Sequence, residues 1–203
     1  MSAANRAVVV DLGLGNLASV LQALVRAGGE PRLSTDPAEI ARAPRVVLPG
    51  VAAFGLGMER AAKFKPALQA ALSRQAPVVG ICLGMQILFE EGEEDGVRPG
   101  LGLLPGRVTR LPQSVQVPHI GWQKLQASGD SALRPAGWAY FANSYRCEAP
   151  EAVTQAFAEH GNVRIAAVVG RGTLFGVQYH PEKSAHDGEA LLRRFLALPE
   201  GAA

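Results

Sequence analysis

The chain has 203 residues, of which 48% are hydrophobic and 19% charged, a composition of globular proteins and far from the disordered regime. Its 20 basic and 18 acidic residues leave a formal charge of +2, and no block of like charge gives it the footprint of a nucleic-acid or membrane binder. The start, MSAANRAVVVDLG, lacks the regions of a secretory signal, and no apolar run reaches the roughly 18 residues of a membrane span. These features lead us to expect a cytoplasmic protein with small-molecule or protein partners, folded as one α/β domain over residues 1–203. There Cys82 and Cys147 stay reduced, and packing or catalysis comes ahead of a disulfide as their use.

In chain order, RAVVVD (6–11) reads as a short β-branched strand, and Leu17, Val20, Leu21, Leu24 and Val25 then fall on one helical stripe. EPRLS (30–34) reads as a strand, RVVLPG (45–50) as a buried strand, KPALQAALSRQ (65–75) as a helix and PVVGIC (77–82) as another strand, followed by a helical LGMQILFEE. Apolar strands alternating with helices imply a parallel sheet covered on both faces, with ligands gathered at the strands' C-terminal ends. The second half is strand-rich, through GRVTRL (106–111), WAYFANSYR (138–146), VTQAFAE (153–159), VRIAAVV (163–169) and TLFGVQYH (173–180), and it closes with an amphipathic helix, GEALLRRFLAL (188–198), ending at Pro199 and Gly201. The expected fold is α/β: a flavodoxin-like central parallel sheet with helices on both faces, extended by antiparallel strands in the C-terminal half.

One segment carries a chemical signal. In GICLGMQ (80–86) a cysteine stands where a strand gives way to a helix, with Gly80 and Gly84 permitting close approach of neighbouring segments. This is the layout of a nucleophile elbow, with Cys in place of Ser. A helix N-terminus favours a thiolate, but an unperturbed thiol with a pKa near 8.5 is only about 3% ionised at neutral pH, so a nearby base is needed. QYHPEKS (178–184) supplies one. Pro181 biases His180 to extended geometry, and in an extended segment His180 and Glu182 face the same way. The carboxylate can then fix the imidazole tautomer while the other ring nitrogen faces the thiol. Cys82, His180 and Glu182 so placed make an acyl-transfer triad. For the oxyanion, the Leu83 N–H is one expected donor, and the Val51 N–H in VLPGVAAF (47–54) is the other, with Gly50 allowing unusual backbone angles before it.

These motifs resemble the class I glutamine amidotransferases, whose glutaminase domains carry a GxCxGxQ elbow and a late HPE. Within the class, DLGLGNL (11–17), PGVAAF (49–54), VPHIGW (117–122), NSYR (143–146) and QYHPEKS are similar to the glutaminase subunit of imidazole glycerol phosphate synthase. The resemblance implies that Cys82 attacks the side-chain amide of L-glutamine, that His180 protonates departing ammonia, and that water cleaves the thioester. It implies substrate contacts at Gly50, Gln86, Ser144 and Tyr145. It also implies a heterodimer with a cyclase subunit of TIM-barrel fold, reached from the side of Asn16, His119, Trp122, Tyr140 and Lys183, and no cofactor or metal. Ala52, Gln123 and Asn143 depart from that pattern, which usually has Gly, Asn and His there; the departures touch the oxyanion loop and the partner-facing hydrogen bonds.

Four other readings compete. GLGNLA (13–18) with Asp36 fits a dinucleotide-binding fingerprint, although Asp11 and Leu12 intervene after the apolar strand. His180, Glu182 and either His119 or His186 could supply two histidines and a carboxylate to a metal. A glutaminase of another synthase, of the anthranilate synthase type, would share the elbow and HPE. A scaffolding subunit could keep the fold without chemistry.

Overall fold

The computed structural model describes residues 5–128 and 130–199. Strand β1 (Arg6–Val10) leads through a loop with Gly13 and Gly15 at positive φ into helix α1 (Leu17–Arg26). The carboxamide of Asn16 caps α1 by accepting from Ser19 N at 3.2 Å. After β2 (Glu30–Ser34) comes α2 (Pro37–Arg42), whose N-cap Asp36 accepts from Ala38 N at 2.8 Å, with Pro37 in the first turn as a helix start favours. Asp36, the acid of the dinucleotide reading, is thereby spent on a cap. Strand β3 (Val46–Gly50), helices α3 (Phe54–Ala61) and α4 (Lys65–Ser73), and strand β4 (Val78–Cys82) complete the first half.

Along these strands successive side chains point to opposite faces. Val9, Val47, Val79 and Ile81 pack on one side with Val20 and Leu24 of α1 and with Leu192 and Phe195. Val8, Val46, Leu48 and Val78 pack on the other with Ile40, Phe54, Phe64 and Leu68. Both faces are dry, which is why the strands read as unbroken apolar runs.

Beyond β4 the expectation needs correction. The helical LGMQILFEE is a single turn, α5 (Leu83–Gln86), because the carbonyls that would continue it are taken by another segment. Leu101 N donates to Ile87 O, Gly102 N to Phe89 O, and the amides of Leu103 and Leu104 to Leu88 O, at 2.8–2.9 Å. Strands β5 (Glu91–Gly92), β6 (Arg98–Pro99), β7 (Arg107–Arg110), β8 (His119–Lys124), β9 (Gln126–Ala127), β10 (Trp138–Asn143), β11 (Tyr145–Glu148), β12 (Thr154–His160), β13 (Val163–Arg171) and β14 (Leu174–Val177) come next, then α6 (Ala185–Leu196). The final helix starts three residues earlier than its amphipathic pattern shows, and Gly201 lies outside the described residues. WAYFANSYR is two strands, β10 and β11, in different sheets.

The main sheet runs β2-β1-β3-β4-β14-β13-β12-β9. Its first five strands are mutually parallel in flavodoxin-like order, and β13, β12 and β9 extend it antiparallel, as expected. Two small sheets that the sequence pattern does not indicate, a β8-β10 ribbon and a β11-β7-β5-β6 sheet, stand beside it. Among the described residues no helix is long and apolar enough to cross a membrane.

A Cβ on Gly84 would lie 1.7 Å from Leu48 O, whereas one on Gly13 would meet nothing within 4 Å. Gly84→Ala should destabilise the protein by at least about 3 kcal/mol or prevent folding. Gly13→Ala, at φ +66°, should cost only roughly 1–2 kcal/mol. Urea titration of the two variants compares them.

Candidate active site

At the end of β4, Cys82 adopts φ 53° and ψ −110°, a conformation that costs a non-glycine residue about 1–3 kcal/mol and that clusters at functional sites. The chain can turn this sharply because Gly80 and Gly84 have no side chains: a Cβ on Gly80 would sit 2.4 Å from Gly84 O. Cys82 is paired in register with Gly50 of β3. Gly50 lies inside its strand and not after it, and its φ is not positive. Its smallness matters instead for Leu83, whose side chain would meet an added Cβ at 3.1 Å. Because α5 is one turn long, its dipole is a weak support for a thiolate, and the imidazole must do more.

His180 stands three residues beyond the end of the adjoining β14. Its Nδ1 is 2.7 Å from Glu182 Oε1, with both side chains almost fully buried. His180 itself is extended, as the bias from Pro181 predicts, but the alternation expected to carry Glu182 to the same side does not continue past it. Pro181–Lys183 form a 3₁₀ turn, which folds the carboxylate back beneath the ring. Burial alone would lower the His180 pKa, but hydrogen bonds from the ring to Cys82 and Glu182, reinforced by their charges, outweigh it and raise the pKa to about 9. The backbone is fixed too: His180 N donates to Tyr140 O at 2.9 Å, Ser184 Oγ donates to His180 O at 2.6 Å, and Tyr140 N donates to Ser184 Oγ at 2.9 Å.

Around the thiol lies a chain of amides. Gln86 Nε2 donates to Tyr145 O and to Gln178 Oε1, both at 3.2 Å, and Gln178 Nε2 approaches Cys82 Sγ at 3.9 Å. Asn143 Nδ2 donates to the same Tyr145 carbonyl at 3.0 Å. Sequence reasoning misses Gln178. The signal lies in strand register, since Val177 of β14 pairs with Ile81 of β4, so the next residue of each strand falls side by side. Ser144, between β10 and β11, accepts from Leu111 N at 2.9 Å through its carbonyl. Cys147 is buried, and its pKa is raised well above the ordinary thiol value, first by burial and then by the neighbouring Cys82.

Val51 is 53% exposed, and its amide nitrogen lies 3.1 Å from where a Cβ of Gly15 would stand. The glycine loop after β1 thus rests against the proposed oxyanion strand end. A groove of about 610 Å³ opens alongside, between the start of α3 and the 94–99 segment, and Glu94 Oε2 there accepts from Phe54 N at 2.6 Å.

The partner-side residues separate. Trp122 and Tyr140 pack edge to face at 5.8 Å on the β8-β10 ribbon, with Ile120, Trp122 and Trp138 exposed. Lys183 is exposed as well. Asn16 is committed to its cap. His119 corrects the expectation: alternation along β8 turns it inward, where it is 1% exposed and stacked between Phe141 and His160 with centroids at 4.9 and 4.0 Å. Burial, then repulsion from His160, lowers its pKa to about 4. His186 is exposed, and among the described residues no three His, Cys, Asp or Glu side chains converge on a metal-sized site.

Comparison with known proteins defines the class. The family described as glutamine amidotransferase class-I matches residues 8–198. Solved structures of a glutamine amidotransferase and of PurLQS from Thermotoga maritima superpose with TM-scores of 0.73, at 21% and 20% identity, over 94–95% of this chain and 97–98% of theirs; they attest the fold. Proteins named imidazole glycerol phosphate synthase subunit HisH are similar at higher identity. The one from Symbiobacterium thermophilum is 47% identical over 92% of this chain and 91% of its own, and the one from Bacillus licheniformis 45% over 92% and 93%. The chain belongs to the class I glutamine amidotransferases and, within them, to the HisH family.

The raised His180 pKa makes a pH prediction. Protonated His180 stabilises the fold fully below about pH 6.5, and this contribution is lost as pH rises through about 9. Glu182→Gln should lower the pKa by roughly one to two units, read from the His180 ring signal by NMR, and should shrink the wild-type stability advantage most at the acid end of that window.

Proposed function

We propose that this chain is the glutaminase subunit of an imidazole glycerol phosphate synthase, working as one domain over residues 1–203 in the cytoplasm. The observation that carries the reading is the burial of His180 against Glu182, with Cys82 among the groups that raise its pKa. Relatives named for that synthase subunit, matching over nine-tenths of the chain, favour this synthase over one of the anthranilate type.

The thiol proton already resides on the imidazole, which Glu182 holds as an imidazolium facing a thiolate. The sulfur attacks the side-chain amide carbon of L-glutamine. The Leu83 and Val51 N–H groups receive the oxyanion, and His180 returns its proton to the departing ammonia. Water, deprotonated by the same ring, then cleaves the thioester to glutamate. Gln86, with Gly50 and the backbone at Ser144 and Tyr145, holds the substrate. Ammonia passes to a cyclase subunit of TIM-barrel fold docked on the side of Trp122, Tyr140, Lys183 and Asn16. Trp122 and Tyr140 suit that surface because an exposed indole backed by a half-buried phenol on a two-stranded ribbon is what a protein partner covers. His119 supports that ribbon from within.

Cys82→Ala should reduce glutamine-dependent synthesis by the complex more than about a thousandfold while leaving ammonia-dependent synthesis within about twofold. Loss of both would contradict the division of labour. Glu182→Gln should cost less than Cys82→Ala, because the carboxylate orients and does not attack; steady-state kinetics of both variants with each nitrogen source tests the ranking.

A further inference from the structure

One buried polar side chain has no task in the mechanism. Gln178 is wholly enclosed, and burying a carboxamide costs free energy unless its hydrogen bonds are made. Were packing its only purpose, a Met or Leu would fill the place without that cost. Its two ends face two members of the proposed machinery. The oxygen accepts from Gln86 Nε2 at 3.2 Å, and the nitrogen points to Cys82 Sγ at 3.9 Å. Its backbone N is anchored on Ala167 O at 2.9 Å, so the side chain reaches out from a fixed point at the centre of the main sheet.

We propose that Gln178 is a positioning residue that sets the sulfur of Cys82 and the carboxamide of Gln86 together, through opposite ends of one buried amide. On the Gln86 side, Gln178 Oε1 and Tyr145 O occupy the Nε2 group, which leaves Gln86 Oε1 to turn toward a ligand. On the sulfur side, an N–H donor favours thiolate over thiol, because hydrogen bonds to a charged acceptor are the stronger. The titratable groups around that sulfur are His180, backed by Glu182, and the buried Cys147 thiol. Gln178 is the neutral donor among them, able to steady the sulfur without competing for its proton. The assignment of Gln86 to substrate rests on the glutaminase reading; the contact with Cys82 does not.

The test measures the pH dependence of Cys82 alkylation by iodoacetamide in the full-length chain, with peptide mass mapping to separate Cys82 from Cys147. Gln178→Met should move the midpoint up by about half a unit to one unit, and Gln178→Glu, which puts a carboxylate beside the sulfur, by about one to two units. In the complex with its cyclase partner, Gln178→Glu keeps an oxygen for Gln86 and should lower kcat about tenfold with KM near wild type. Gln178→Met releases Gln86 and should raise KM as well. In the wild-type chain, the Gln178 side-chain amide protons should shift in NMR spectra when Cys82 is alkylated, a readout that survives if either variant fails to fold. Unmoved midpoints in variants that melt cooperatively would overturn the proposal, as would amide signals indifferent to alkylation. A wild-type chain that alkylates at Cys82 yet never hydrolyses glutamine would defeat the functional reading and leave the alkylation comparison standing.

Discussion

The close approach of two glycines to the neighbouring backbone is the constraint on which the site depends. Gly84 lies so near the Leu48 carbonyl, and Gly80 so near Gly84, that no side chain fits at either place. That proximity lets the chain reverse direction within a residue of the strand end. It forces Cys82 into its unusual backbone conformation and delivers Leu83, Gly84 and Gln86 immediately behind it. The cost of order 1–3 kcal/mol for such a conformation is borne by the surrounding sheet, since β3 and β14 grip β4 from both sides. The sulfur is held in place by the core of the protein, not by a long helix.

The imidazole comes to this point from the far end of the sequence, and the sheet again does the work. Strand β14 runs parallel to β4 and ends level with it, so the residues leaving β14 meet those leaving β4. A proline-initiated turn then tucks Glu182 under the ring. Desolvation would discharge such a histidine; two hydrogen-bonded neighbours of negative character keep it basic.

Range decides how much of this is legible in the sequence. The parallel strands are legible because burial on both faces writes itself into short apolar runs, and the elbow is legible because glycine, cysteine and glycine at a strand end have few other uses. Local patterns mislead where distant segments intervene. LGMQILFEE has a helical look, yet the 101–104 amides seize its carbonyls, and nothing within those nine letters announces it. HPE reads as extended from the bias at Pro181, while the turn depends on the segments packed around it. From its motif His119 could serve a partner surface or packing equally well, and the choice falls to packing through His160, which reaches it from β12. Gln178 escapes notice because its neighbours, Cys82 and Gln86, are distant in sequence and adjacent only through strand register.

The strapping of β10 to the histidine segment has a mechanical consequence. Tyr140 gives its carbonyl to His180 N and its amide to Ser184 Oγ, and that hydroxyl closes a ring back onto His180 O. The same residue turns its phenol ring outward against the Trp122 indole. The residue that presents its ring to Trp122 on the ribbon is thus joined to the backbone of His180 by a closed set of hydrogen bonds, so the surface of the ribbon and the seat of the imidazole share one framework.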